Sequence, residues 1–249
     1  MSRSAQHDPL VTCVCLTRDR PELTQRAVEC FRKQTYERKT LLMFDTGDRR
    51  YPGHIKRNGE RHVWAPGLQM APIGFLRNEA NSAEPKAELI AHWDSDDWSH
   101  RYRLAEQVDY LLQTKAEAVG YNDMLFWNSS NQGAKQEAWL YSTHPHDDRF
   151  ALGTSLLYWR RVWAKRPFGS IDEGEDRAWI KGVNCRGVSS TDHDCIDPRM
   201  IAHVHGGNSV ATPTRFARWT DGTSTNWTRC AEMDAYCEHV MEGKIPALV

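Results

Sequence analysis

One apolar run, Leu89-Ile90-Ala91, breaks within a few residues into Asp94, Asp96 and Asp97, three carboxylates in four positions. The run reads as a buried strand, and carboxylates packed this closely repel unless a cation or a set of hydrogen-bond donors compensates them. The fold must therefore deliver the end of an interior strand to a place that supplies such compensation. In open α/β sheets that place is the crevice outside the carboxyl ends of the strands, where ligands bind. A hard divalent cation such as Mg²⁺ or Mn²⁺ takes oxygen ligands, keeps some of its waters and is commonly shared with substrate phosphates. The competing explanation is a solvated acidic turn or a helix cap, with Asp97 or Ser99 capping a helix from Arg101.

With 249 residues the chain is long enough to bury a substantial core, as one large α/β domain or a domain with a C-terminal extension. Its 32 Lys and Arg against 33 Asp and Glu give no global argument for nucleic acid or membrane, although a local patch remains open. The seven Cys form no CxxC pair, so neither a disulfide framework nor a zinc ribbon is indicated, and reduced thiols in a cytoplasmic protein are expected. Cys13 and Cys15 share one face of an expected strand and read as apolar filling. No signal-peptide core or run of about 18 apolar residues is present. Ten Trp residues are many, and Trp64, Trp98, Trp127, Trp159 and Trp163 have polar or charged neighbours, as at a carbohydrate or nucleoside site; packing explains them equally well.

In chain order, residues 10–16 read as a buried strand, followed by the polar turn Thr17-Arg18-Asp19-Arg20-Pro21 and a helix over 22–34. Residues 40–44 make a second strand and complete a βαβ unit with polar loops at both carboxyl ends. A basic stretch over 49–61 reads as a loop, 63–64 as a short strand, 73–83 as a helix carrying Arg77 and Asn78, 87–93 as the strand that delivers the acids, and 101–113 as an amphipathic helix. Strands over 118–127 and 137–141 show clearer alternation, so the parallel sheet is expected to become mixed. After them come a strand over 156–159, a basic turn over 160–166, an acidic cluster over 172–176 with a helix over 177–182, a strand over 198–204, and a docked C-terminal helix over 229–241.

Six stretches stand out in this order: VTCVCLTRDRPELTQRAVECFRKQTY, LLMFDTGD, FLRNEANSA, LIAHWDSDDW, GED at 174–176 and HGGNS at 205–209. Together they resemble the motifs of a family 2 glycosyltransferase of the GT-A fold, over about residues 10–210. The resemblance implies a Rossmann-like, mostly parallel sheet that becomes mixed, with helices on both faces. It implies a flexible N-terminus (1–9), a catalytic domain (10–210) with a nucleotide-sugar-binding half (10–115) and an acceptor half (116–210), and a C-terminal extension (211–249).

The implied activity is metal-dependent, inverting transfer of a sugar from a nucleotide diphosphosugar, with a UDP-sugar favoured, to an acceptor hydroxyl. Such chemistry needs a Lewis acid on the leaving diphosphate, a base on the acceptor and alignment of the two. By the resemblance Asp96 holds Mn²⁺ or Mg²⁺, with Asp97 able to exchange roles with it, and Asp94 lies nearer the ribose or a metal-bound water. His205 completes the metal shell, with His203 as the alternate on the same strand face. Asp176 is the general base and Glu175 orients it or the acceptor. Arg77 meets the base or the diphosphate, and Trp98 stacks on a sugar face. Asp45 and Thr46 stand where the family pattern has paired acids. A neutral Thr46 reads a base less specifically than an acid does, so GDP and dTDP donors stay open, and Asp19, in the turn with Thr17 and Arg18, is a further base-reading candidate.

The acceptor expected from the resemblance is a glycan or a lipid-linked sugar. The basic stretches 49–61 and 160–166 leave room for a polyanion, including a hydroxylated base in DNA. A nucleotidyltransferase would want a Gly-rich signature with a Lys soon after the first strand, and residues 17–21 have none. A non-catalytic nucleotide-sugar-binding module is the remaining alternative.

Overall fold

The computed structural model describes residues 8–53, 55, 57–129, 136–142, 148–190, 197–205 and 227–242. Three runs of β-formers, β1 (Val11–Thr17), β2 (Lys39–Asp45) and β4 (Leu89–His92), are buried almost throughout. They pair in parallel with β1 in the middle, and β3 (Glu60–Trp64) extends the parallel edge beyond β2. Strands apolar on both faces need cover on both, which helices provide. The first, α1 (Pro21–Arg32), opens on a proline, which suits a first helical turn, and buries Ala27, Val28 and Phe31. The others are α2 (Ile73–Ser82) and α3 (Arg103–Thr114), the latter ending on Lys115 in the left-handed region.

The expected change to a mixed sheet occurs at β6 (Ala118–Asn128), an 11-residue strand. Both edges of this strand carry two partners in succession. Antiparallel β8 (Leu157–Trp159) and β7 (Glu137–Ser142) pair with its start and end, as do parallel β9 (Cys185–Ser189) and β10 (Met200–Val204). Because β8 also pairs with β4, it joins this half to the parallel half. The short β5 (Trp98–Ser99) runs antiparallel to β10 and brings the chain just after the three aspartates against the strand that ends at Val204.

Several expectations need correction. Residues 160–166 are not a basic turn: α4 (Arg160–Lys165) is a helix, so its cations are ordered on a surface. The strand β9 was not anticipated, since CRGVS is short, contains Gly and lacks a clear alternation. At the C-terminus a strand, β11 (Trp227–Arg229), pairs with β7 before the helix begins at α6 (Asp234–Met241). The basic loop ends earlier than expected, at β3. The polar turn after β6, most of HGGNS and the 210/211 boundary lie largely outside the described residues.

Six described cysteines, Cys13 and Cys15 among them, are buried. Burial pushes the Cys13 thiol up to about 12, which suits inert filling. No described helix is long and apolar enough to cross a membrane.

Candidate active site

The three aspartates leave β4 on a turn that sends their side chains in different directions. Asp94 is the most exposed, at 29% of its side chain. Asp96 Oδ2 accepts from Arg20 Nη1 at 2.7 Å and lies 3.0 Å from His205 Nε2. Burial pushes the Asp96 carboxyl up, but the His205 hydrogen bond and the Arg20 charge outweigh it and hold it below the usual range.

Asp97 turns inward. Its Oδ1 accepts the His203 backbone N–H at 2.9 Å, and its Oδ2 accepts the Thr154 hydroxyl. Burial, with Asp96 and Asp94 close by, raises its carboxyl well above the ordinary value. Both oxygens serve interior donors, so the geometry does not favour Asp97 as a metal ligand in exchange with Asp96.

The two histidines also divide. His203 Nδ1 lies 3.1 Å from Arg26 Nη2 and its Nε2 2.7 Å from Ser129 Oγ. Burial and the neighbouring Arg26 lower its pKa to about 3, so the ring is neutral. His205, just beyond the strand, reaches Asp96 instead. Among the described residues no three His, Cys, Asp or Glu side chains are grouped as a metal site. The Asp96 and His205 pair nevertheless supplies suitable O and N donors for an ion that keeps waters and shares its shell with phosphates.

A second group of residues reaches the same region from α5 (Glu175–Ile180), which starts at Gly174 with φ of 78°, a left-handed conformation natural to glycine. Helix α2 holds the approach to α5. Asn78 Nδ2 donates to the Phe168 carbonyl at 2.8 Å, its Oδ1 accepts the Phe168 N–H at 3.0 Å, and Asp172 Oδ1 accepts the Ile73 N–H at 3.2 Å. From this helix Arg77, buried, donates through Nε to Glu175 Oε1 at 3.0 Å and points Nη1 toward Asp94 Oδ1 at 3.9 Å. That Nη1 is buried without a hydrogen-bond partner among the described residues. Burial raises the Glu175 pKa, and the Arg77 charge acts against that rise.

Asp176 is placed by Gly153, since a Cβ on that glycine would overlap the Asp176 carboxylate. The turn carrying Gly153 is braced from below. His92 Nδ1 donates to the Gly153 carbonyl at 2.7 Å, and its Nε2 lies 3.3 Å from Tyr158 Oη, which accepts from Asn81 at 2.9 Å. Burial, reinforced by Arg77 and Arg103, keeps His92 neutral. Arg103, fully buried, donates to the carbonyls of His92 (2.9 Å) and Thr154 (3.3 Å) and to Ser99 Oγ (2.9 Å), with its guanidinium 4.9 Å from the Trp93 ring centroid. Sequence reasoning missed Gly153, Thr154, His92, Arg103 and Arg20. Only Arg20 carried a signal, its place in the turn after β1.

The remaining candidates sit at the carboxyl ends of β1 and β2. Asp45 is buried; its oxygens accept the N–H groups of Gly47 (2.9 Å) and Tyr51 (2.8 Å), and Oδ2 lies 3.1 Å from His62 Nε2. Burial pushes Asp45 up, but these bonds prevail and lower its pKa. Its carboxylate shapes the turn, which leaves it little scope to read a base. Thr46 N–H donates to the Thr17 carbonyl (3.0 Å), and the Thr17 and Thr24 hydroxyls meet at 2.7 Å. Arg18 donates to the Gln69 carbonyl at 2.8 Å. Asp19, at φ 50°, accepts the Arg49 N–H at 3.4 Å. Trp98 is half-buried and packs against two hydrophobic clusters. Of the tryptophans singled out, Trp127 and Trp163 are core residues and Trp64 is 44% exposed.

No protein-family model matches the chain, and no curated protein matches it. Solved structures do. S. aureus TarS 1–349 aligns with a TM-score of 0.58 at 13% identity, over 78% of this chain and 60% of that one. The same protein in complex with UDP-GlcNAc aligns at 0.57 and 13%, over 81% of this chain and 61% of that one. The mannosyltransferase PcManGT from Pyrobaculum calidifontis, in complex with GDP-Man and Mn²⁺, aligns at 0.57 and 14%, over 96% of this chain and 66% of that one. The chain thus spans about 60% of the length of the TarS 1–349 chain, and at such identity the likeness is one of fold. That fold, a mixed α/β sheet surrounded by helices, is the GT-A fold of the glycosyltransferases.

Proposed function

We propose that this protein is a glycosyltransferase that moves a sugar from a nucleotide diphosphosugar, with a UDP-sugar as the favoured donor, to an acceptor hydroxyl with inversion. The observation that carries the reading is the Arg77 bridge. Arg77 donates to Glu175, the neighbour of Asp176, and places its Nη1 3.9 Å from Asp94 just beyond β4, in a fold whose solved examples hold UDP-GlcNAc and GDP-Man with Mn²⁺.

Asp96 and His205 would hold the divalent ion, which when bound neutralises charge on the leaving diphosphate. Arg20 occupies the same Asp96 oxygen and must yield it or share it. Asp94, the least buried of the three acids, would face the donor, and the unbonded Nη1 of Arg77 can donate to a sugar or diphosphate oxygen. Asp176 accepts the acceptor proton as the new C–O bond forms and the bond from the anomeric carbon to phosphate breaks on the opposite face. One displacement inverts the configuration. Glu175, held by Arg77, fixes the start of α5 and so positions Asp176. Glycans and lipid-linked sugars are the favoured acceptors.

The test is a thermal-shift panel of UDP-, GDP- and dTDP-sugars with and without Mn²⁺, paired with transfer or donor-hydrolysis assays of Asp176→Asn. A ligand that binds the native state raises its stability. Asp176→Asn is expected to keep the donor-induced shift while turnover falls by about 100-fold or more, the scale of a lost general base. Absence of any nucleotide-sugar response rejects the reading.

A further inference from the structure

Two concavities lie side by side along α5 and α4. The larger, about 500 Å³, is lined by Arg149, Arg177 and Lys181. The smaller, about 240 Å³, is lined by Arg161, Lys165 and Arg166, and Val183 forms a wall of both. Glu117 is the one carboxylate among the lining residues, and its Oε2 already accepts the Asn184 N–H at 2.8 Å. In a chain with 32 basic and 33 acidic side chains, six cations facing one engaged acid is a marked local segregation. Among the described residues no carboxylate forms an ion pair with Arg161, Lys165, Arg166, Arg177 or Lys181.

The strip is built by local geometry. Helical spacing puts Arg177 and the capping residue Lys181, just past the end of α5, on one side, and Arg161 and Lys165 on one face of α4. The Arg161 guanidinium lies 3.9 Å from the Trp159 ring centroid. Arg166 lies across Gly182, where any Cβ would overlap its guanidinium, and donates to the Gly182 carbonyl at 3.2 Å. Arg177, at one end of the strip, directly follows the proposed base Asp176 in the first turn of α5.

We propose that this strip binds a polyanionic glycan chain, the acceptor whose hydroxyl is presented to Asp176. The assignment as acceptor rests on the glycosyltransferase reading above; the anion site itself does not. Sites for single-stranded nucleic acid interleave cations with aromatic faces on which bases stack. Here Phe150 is the sole aromatic lining residue, and the Trp159 ring is covered by Arg161. Those features favour a charged glycan over a base-bearing chain.

The experiment measures binding of fluorescent heparin oligosaccharide, neutral dextran and oligothymidylate to the full chain across a salt series. It includes Arg161→Glu/Lys165→Glu and Arg177→Glu/Lys181→Glu, each checked for a native melting transition. Heparin is expected to bind with affinity that falls steeply with salt, to weaken about ten-fold or more in each double variant, and to outcompete dextran. Charge neutralisation at Lys165→Ala/Lys181→Ala provides a gentler variant, with the same direction expected. Heparin binding that is absent, or unchanged in every variant, overturns the proposal. Oligothymidylate binding about ten-fold tighter than heparin overturns it in favour of a nucleic-acid site. Donor-induced stabilisation is read in the same samples. Heparin binding by a protein that ignores nucleotide sugars would sink the transferase reading and leave the anion site standing.

Discussion

Gly153 and Asp176 compete for one volume: the Asp176 carboxylate lies where a side chain on Gly153 would be. The glycine belongs to a turn whose carbonyl is held by His92, so that turn cannot retreat cheaply. Gly153→Ala is therefore expected to displace Asp176. Transfer should fall by roughly 100-fold, the scale of a misplacement of about 1 Å, with donor-induced thermal stabilisation retained. Steady-state transfer and thermal shift on the same preparation check this. Wild-type turnover in Gly153→Ala would show that Asp176 does not need this position.

The adjacent acids should separate by phenotype. Asp96→Asn is expected to abolish the Mn²⁺-dependent part of the donor thermal shift. Asp97→Asn should keep that dependence and lower stability by about 1–3 kcal/mol, since an amide cannot match both interior donors. Urea unfolding and metal titration distinguish the two, and a metal response lost in Asp97→Asn but kept in Asp96→Asn would reverse the assignment.

Arg77 and Glu175 are both buried, so removing one partner strands the other. Arg77→Met is expected to cost about 3–5 kcal/mol at neutral pH. The cost should shrink toward pH 5, because the Glu175 pKa is already raised by burial and the unpaired acid can take up a proton. A loss below about 1 kcal/mol at neutral pH would mean that solvent reaches the pair.

His203 gives a pH signature. Its folded pKa is lowered from 6.5 to about 3, so below 6.5 the unfolded chain binds a proton that the native ring does not. The stability it contributes is present above pH 6.5 and is lost as pH falls toward 3. The stability difference between wild type and His203→Gln should decline by about 1.4 kcal/mol per pH unit over that window. A difference independent of pH would show that the native ring titrates normally.

Much of the frame was legible because it is local. The runs that became β1, β2 and β4 are apolar on both faces, and each ends at a polar turn, so strand ends and the acids beyond them could be read from neighbouring residues. The helices α1 and α3 showed in apolar spacing. The strand β9 did not, because its partner β6 lies more than 60 residues away and CRGVS has no pattern of its own. Arg103 looks like an ordinary solvent-facing helix residue; its burial follows from the contact between α3 and the underside of the β4 turn.

By itself the sequence determined that three carboxylates emerge from an interior strand, and it offered Glu175, Asp176 and His205 as their companions through a resemblance of motifs alone. It could not divide the labour within each cluster. Asp96 and Asp97 are adjacent, as chemically alike as two residues can be, and His203 and His205 share a strand face by parity. Their difference comes from what approaches from elsewhere in the chain: Arg20 and His205 at Asp96, Thr154 and the His203 backbone at Asp97, Arg26 and Ser129 at His203. The tertiary structure decided which partners each acid meets, because only long-range packing determines where the compensating donors lie.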